Sequence, residues 1–399
     1  MKIFLIAGEV SGDVLGALLM KSMRADHPDA TFYGIGGPLM EREGLTSLFP
    51  MNELSIMGLT EILPRIKHIL ARIKETVAHI RRINPDIVVT IDAPDFSFRV
   101  VKGLREEKKP NDPIMVHYVA PTVWAWRAGR AKKVADLYDG IVCLFPFEPP
   151  YFTKHRLPSG YVGHPVMEQG FVDASGAAVR TEMGLDPDTK ILGLMFGSRN
   201  GEVERHGETL RAIAAKLQAD KPHLHFLVPT LPHVEDKVRA LMAGLNNVHI
   251  IHDPDRKPEI FAAMDAAVAV SGTVALELAV ANVPHVIAYT MSPLTWAIVN
   301  RVVKIRYAHL ANILLNKEVV PEFIQNDCVP EQIALTMKGL LKDAHDVEQQ
   351  RAEFATVRKL LHGKTKDAPS LQAARFIFDL YDIRNKTGFV PYSRSSSGT

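Results

Sequence analysis

The chain has 399 residues, with 47 Lys plus Arg against 45 Asp plus Glu, 47% apolar and 23% charged residues, and two cysteines. That length exceeds what one hydrophobic core usually serves, so two domains are expected, and the even charge excludes a bulk nucleic-acid binder. Cys143 and Cys328 lie far apart and outside any CxxC or Cys/His cluster, which excludes a disulfide framework and a zinc site and fits a reducing cytoplasm.

From the N-terminus, Ile3 to Ala7 reads as a buried strand; Gly8-Glu9 follows too soon for a signal peptide. A helix is expected after Gly12, then strands at Thr31 to Ile35, Ile87 to Ile91, Ile114 to Val119, Gly140 to Leu144 and Gly160 to Val162. Short apolar strands alternating with helical patterns predict a parallel sheet covered on both faces. A second series runs through Ile191 to Phe196, Leu224 to Val228, Val248 to Ile251, Ala266 to Val270 and His285 to Tyr289. Ala266 to Tyr289 is the most membrane-like stretch, but Ser271, Thr273, Glu277, Asn282 and Pro284 interrupt it, so it reads as strand, helix, strand. After Pro330 the pattern is helical to about Asn385, ahead of a Ser-rich end.

The expected architecture is therefore α/β, with two Rossmann-like doubly wound domains facing a cleft. Residues 1–168 form the first domain and 169–365 the second; a helix over 366–385 packs back on the first, and 386–399 form a disordered tail. Strand-end loops carry ligands in such sheets. The first of them is Gly8-Glu9-Val10-Ser11-Gly12-Asp13, with Glu9, Ser11 and Asp13 as candidates. Asp92 follows Ile87 to Ile91 directly, where partial burial would raise its pKa toward that of a useful general base. The stretch from His117 to Arg127 holds Trp124 and Trp126, and these aromatics with Arg127 and His117 suit a sugar or amphipathic ligand, though packed core aromatics explain the tryptophans nearly as well.

In the second half, Gly197-Ser198-Arg199 breaks strand into helix, offering a helix start and a planar cation to a diphosphate. Ser271-Gly272-Thr273 repeats that pattern, with Glu277 one turn on for a sugar hydroxyl. An ordinary turn or N-cap is the alternative at each. Neither Gly8 to Asp13 nor Gly34 to Gly37 matches a dinucleotide fingerprint, and no GxSxG, HExxH or Walker motif occurs. Asp186-Pro-Asp188 and Asp253-Pro-Asp255 fit a loose DxD pattern, but read better as turns; no metal and no cofactor are expected. The amphipathic helix from Leu59 to Ile80 interleaves Ile62, Ile66 and Ile69 with Arg65, Lys67, His68, Arg72 and Lys74. It reads either as a sheet-packed helix or as one that lies on an anionic membrane or admits acyl chains.

These stretches resemble the lipid-A-disaccharide synthase family of inverting two-domain GT-B glycosyltransferases. The resemblance rests on GEVSGD at 8–13, IMGLTEIL at 56–63, IDAPDF at 91–96, HYVAPTVWAWR at 117–127, FPFE at 145–148, GHP at 163–165, GSR at 197–199, SGTVALE at 271–277, YTMSPLT at 289–295 and VPEFIQ at 320–325. It implies transfer of 2,3-diacylglucosamine from UDP to the 6-hydroxyl of 2,3-diacylglucosamine 1-phosphate, a step of lipid A synthesis in Gram-negative bacteria. Asp92 matches the family's base, Glu9 and Arg199 its important cleft residues, and Asn312 a functional asparagine. Gly197, Ser198, Arg199, Ser271, Gly272, Thr273, Glu277 and Asn312 are then expected at the donor. Ser11, Asp13, Met57, Ile62, Ile66, Ile69, Trp124 and Arg127 are expected at the acceptor and its acyl chains. A cytoplasmic enzyme peripherally attached to the inner membrane follows, and a homodimer is kept as a candidate assembly. Two departures stand out: Met195-Phe196 where the family usually has Leu-Pro, and His309-Leu310-Ala311 where it has Ser-Leu-Pro. Competing readings are a GT-B transferase or epimerase acting on UDP-N-acetylglucosamine, a non-catalytic sugar-nucleotide or lipid binder, and, more distantly, a nicotinamide oxidoreductase.

Overall fold

The computed structural model describes residues 1–54, 59–106, 112–126, 129–270, 272–303, 305–342 and 344–387. The chain divides into two compact units, one made of Met1–Pro165 with the segment from Leu361 onward, the other of Val166–Leu360.

The first unit holds six parallel strands: β1 Lys2–Ala7, β2 Thr31–Ile35, β3 Ile87–Ile91, β4 Ile114–Tyr118, β5 Gly140–Cys143 and β6 Ser159–Tyr161. They are ordered β2-β1-β3-β4-β5-β6. β3, β4 and β5 are buried at every position, as continuous apolar runs between two helical layers demand. The two polar side chains in β3 and β4 meet each other. Thr90 Oγ1 lies 2.7 Å from His117 Nδ1 and 2.9 Å from the Tyr138 hydroxyl. The ring of His117 also packs against Phe98 and Tyr138, so this histidine belongs to the core and not to a sugar site.

The Pro369–Thr387 helix packs on the Val10–Asp26 helix and on β4 and β5. Its anchors span the unit: Ser370 Oγ lies 2.7 Å from Ser22 Oγ, Phe378 meets His27 edge-on, and the Tyr381 hydroxyl donates to Asp86. Arg384 donates to the Asp112 carbonyl.

In the second unit the parallel strands are β7 Ile191–Met195, β8 His225–Pro229, β9 Val248–Ile251, β10 Ala266–Ala269, β11 His285–Tyr289 and β12 Glu322–Ile324. Their order is β12-β11-β10-β7-β8-β9. β12, three residues long and half-buried, was not expected from the sequence, because so short a run carries no alternation to read. No described helix is long and apolar enough to cross a membrane.

Each sheet reverses its strand order once, between β1 and β3 in the first unit and between β7 and β10 in the second. The carboxyl ends of the strands at such a reversal open a crevice for ligands.

Candidate active site

At the reversal in the first unit, Ala7 pairs with Ile91, and Ile91 pairs with Tyr118. Gly8-Glu9, Asp92 and Val119 therefore leave neighbouring strands side by side. The backbone there is strained: Asp92, Ala93 and Val119 have φ of 49°, 43° and 78°. A β-branched residue in that region is a clear outlier, and strain of this kind collects at functional sites. The turn is held by Asp92 N–H donating to the Tyr118 carbonyl at 2.9 Å and by Ser97 Oγ donating to the Asp92 carbonyl at 3.1 Å. A Cβ on Gly8 would lie 2.8 Å from that of Ala93, so the first loop approaches the second only because residue 8 is glycine. Burial raises the Asp92 carboxyl above its ordinary value, with the Ala93 N–H acting in the opposite direction.

Glu9, half-buried, begins the Val10–Asp26 helix in extended conformation, and its carbonyl accepts the Asp13 N–H at 3.0 Å. Ser11 is exposed in the first turn. Asp13 is turned inward. It is 3% exposed, and its two oxygens accept the N–H groups of Gly37, Leu39 and Met40 at 2.9–3.0 Å. It braces the turn after β2 and caps the Pro38–Arg42 helix. Trp124 is half-buried and its indole donates to Glu148 at 3.4 Å. Ile66 is exposed and Ile69 half-buried on the Leu59–Ile83 helix. Met57 and Arg127 lie outside the described residues, and for Ile62 only the helical backbone is described.

At the reversal in the second unit, Gly197-Ser198-Arg199 leads from β7 into the Asn200–Asp220 helix. The sequence did not show that the loop before this helix is already engaged by a residue of its first turn. Glu202 Oε2 accepts the N–H groups of Ser198 and Arg199 at 2.9 and 3.3 Å, and Oε1 accepts Arg199 Nη1 at 3.1 Å. Gly197, at φ 94°, makes room for this: a Cβ there would stand 2.5 Å from Glu202 Oε2. The signal was present, since an acidic residue three positions after a helix cap is the spacing of a capping box. The N–H groups of Ser198 and Arg199 in this loop are therefore spoken for, and beside the helix start the loop offers a ligand the half-exposed guanidinium of Arg199.

The Thr273–Val280 helix differs. It starts from Gly272 at φ 134°, and among the described residues no side chain caps it. Ala275 N–H donates to the Gly272 carbonyl at 3.2 Å, which leaves the N–H groups of Thr273 and Val274 without a side-chain cap at the positive end of the helix dipole. Ser271 lies outside the described residues. Glu277, one turn on, has the Lys257 ammonium against its Oε2 but off the angle of a hydrogen bond, so this buried oxygen has a counter-charge and no aligned donor.

Asn312 braces its own loop. Its side chain is fully buried; Nδ2 donates to the Val320 carbonyl and Glu322 Oε1 at 2.7 and 2.8 Å, and Oδ1 accepts from Val319 and Val320 N–H at 2.8 and 2.9 Å. That uses both donors and both lone pairs of the amide. Among the described residues no three His, Cys, Asp or Glu side chains converge on a metal position; in the DxD stretches, Asp253 caps the Arg256 N–H at 3.3 Å.

A strained strand-end carboxylate stands at the reversal of one doubly wound sheet, and an arginine and an uncapped helix start at the reversal of the other. UDP-GlcNAc 2-epimerase from Neisseria meningitidis bound to UDP-GlcNAc matches with a TM-score of 0.63 and 12% identity, covering 95% of this chain and 99% of that one. An S. aureus MnaA–UDP co-structure also matches at 0.63 and 12%, covering 100% of each. At that identity the likeness is one of fold. The lipid-A-disaccharide synthetase family model matches residues 3–376. Lipid-A-disaccharide synthase of Rhodospirillum centenum is 43% identical over 391 residues, covering 96% of this chain and 95% of the relative. That of Pseudomonas aeruginosa strain LESB58 is 38% identical over 385 residues, covering 96% and 99%. The chain belongs to the lipid-A-disaccharide synthetase family.

Proposed function

We propose that the chain transfers 2,3-diacylglucosamine from UDP to the 6-hydroxyl of 2,3-diacylglucosamine 1-phosphate, giving the β-1,6-linked disaccharide 1-phosphate and UDP. The observation that carries this reading is the family match across both units, because the reaction needs a base for the acceptor and a cradle for the donor. The bond from the donor's anomeric carbon to the diphosphate breaks as the acceptor oxygen attacks from the opposite face, inverting the centre. Asp92 takes the hydroxyl proton, which its raised pKa suits it to hold. Negative charge builds on the departing UDP, where Arg199 and the first N–H groups of the Thr273–Val280 helix meet it. Glu277 accepts from a donor hydroxyl through its unaligned oxygen. Glu9, beside the Asp92 turn, orients the acceptor.

Purified protein is expected to convert UDP-2,3-diacylglucosamine and 2,3-diacylglucosamine 1-phosphate to disaccharide 1-phosphate and stoichiometric UDP, equally with and without a chelator. UDP binding without disaccharide, read by product mass, would refute the assigned reaction. Loss of turnover in the chelator would refute a purely side-chain mechanism.

The same reading includes peripheral attachment to an anionic membrane. Its support is the Leu59–Ile83 helix, where Ile66 and Leu70 are 38% and 43% exposed one turn apart beside exposed Lys67, His68 and Lys74. Apolar side chains entering the acyl boundary with cations at the headgroups is the pattern of an interfacial helix. Replacing both by Ser is expected to weaken co-sedimentation with anionic vesicles by about tenfold, the equivalent of losing part of two buried aliphatic side chains. Unchanged vesicle binding would remove this helix from the contact.

A further inference from the structure

We infer that Glu148 is a positioning residue for the acceptor, acting through Trp124. The inference rests on the reading of the first unit as the acceptor-binding half. Glu148 follows β5 at the start of the Pro149–Thr153 helix and is 2% exposed. Its Oε2 accepts the N–H groups of Leu144 and Phe145 at 2.9 and 3.0 Å, and its Oε1 accepts the Trp124 indole N–H at 3.4 Å. One carboxyl group thus ties the loop after β5 to the loop after β4. The latter begins at Val119, beside Asp92, so it runs from the base to the indole within a few residues.

The indole is held from a second side. Trp124 meets Phe147 edge-on at 5.2 Å, and Phe147 stacks on Phe145 at 5.7 Å and 9°. Of the described titratable groups around this cluster, the Cys143 thiol on β5 is pushed up by burial and by Glu148, and His164, tilted against Phe145, is pushed down to about 4 by burial. Both are neutral near pH 7. Among the described residues no cation offsets the burial of Glu148, whose carboxyl is pushed up to about 7. Because Oε2 already accepts two N–H groups, the proton goes to Oε1, where it weakens acceptance from the indole. Ionised, Glu148 holds Trp124 more firmly as a flat wall for a sugar ring; protonated, it loosens it.

The test uses full-length protein in which Trp126→Phe and Trp296→Phe leave Trp124 as the reporter. Emission is expected to step near pH 7, and Glu148→Gln, whose amide oxygen still accepts the two backbone N–H groups, is expected to abolish the step. Glu148→Ala, with folding checked by thermal unfolding, is expected to raise the acceptor KM about tenfold, the equivalent of one lost hydrogen bond, with the donor KM unchanged. Trp124→Ala is expected to raise the acceptor KM at least as far. If emission ignores both Glu148 variants, the coupling is wrong. If Trp124→Ala leaves the acceptor KM unmoved while the emission step still follows Glu148, the acceptor reading of this loop is wrong, and either result overturns the inference.

Discussion

Asp92→Asn is expected to lower turnover by roughly 10²- to 10⁴-fold, the range a positioned general base contributes, while the KM of donor and acceptor move little. Asparagine is the informative choice. The backbone at residue 92 sits at φ 49°, a region that Asn and Asp tolerate and most other residues resist, so the substitution removes the base without releasing the strained turn. Alanine would change both. In the parent enzyme the acidic limb of the kcat/KM profile is expected to lie above the ordinary carboxylate value of 3.8, since burial raises this group. UDP release measured at saturating substrates decides the matter. Turnover within threefold of the parent would show that Asp92 is not the base.

Acid is expected to destabilise the protein steeply as the pH falls from about 6.5 toward 4. The second unit contains a fully buried histidine pair whose proton positions follow from its partners. His285 Nδ1 donates to the Val283 carbonyl at 2.8 Å, so its Nε2 accepts. His309 Nδ1 accepts the Ala311 N–H at 2.9 Å, so its Nε2 donates across the 3.0 Å to His285. Both rings must be neutral for this geometry, and burial lowers both, His285 to about 4 and His309 further. A histidine whose folded pKa lies below its unfolded value contributes stability that is present above the unfolded value and lost as pH falls toward the folded one. For His285 the loss is about 2 kcal/mol by pH 5. In the first unit, His164 at about 4 and His117 at about 3 act with the same sign. Glu148 acts with the opposite sign, because its carboxyl is raised and protonation relieves its burial; it offsets about one of the four rings. Urea unfolding followed at pH 7.5 and pH 5 should show a net uptake of protons on unfolding. His309→Ser, which removes one of them, should flatten the dependence for the second unit. Stability that is level or rising toward pH 5 would contradict the pairing.

That pair also explains one of the two departures from the family pattern. Ser is an ordinary helix cap, and His309 does the same work for the Leu310–Leu315 helix through Nδ1. Its second nitrogen then needs a buried partner, which His285 supplies from β11. Nothing in the spacing of residues 285 and 309 announces this contact; it exists only once β11 and the loop before Asn312 are packed together. The position of Asp92 at a strand end was legible for the opposite reason. A five-residue apolar strand, Ile87–Ile91, ends at a carboxylate, and strand ends carry ligands in parallel sheets whatever the neighbours are. The place of Arg199 after a strand was legible in the same way, where a phosphate site and an ordinary turn were both open, but the engagement of its loop by Glu202 was not. The bracing by Asp13 and Asn312 was not legible, because a polar residue in a functional stretch looks the same whether its partners are a ligand or the chain's own N–H groups. The number of free donors and acceptors tells them apart, and that number is a property of the folded chain.

The return of the Pro369–Thr387 helix to the first unit sets an order on synthesis. When residue 165 leaves the ribosome, the surface on the Val10–Asp26 helix, β4 and β5 that this helix later covers is still bare, and all of residues 166–360 must be made before its cover exists. At about 5–20 residues per second that interval is of order ten seconds or longer. The second unit, continuous in sequence, can complete its own core while the first still waits. A premature stop between residues 361 and 369 would thus leave the second unit whole and injure only the half of the protein translated first.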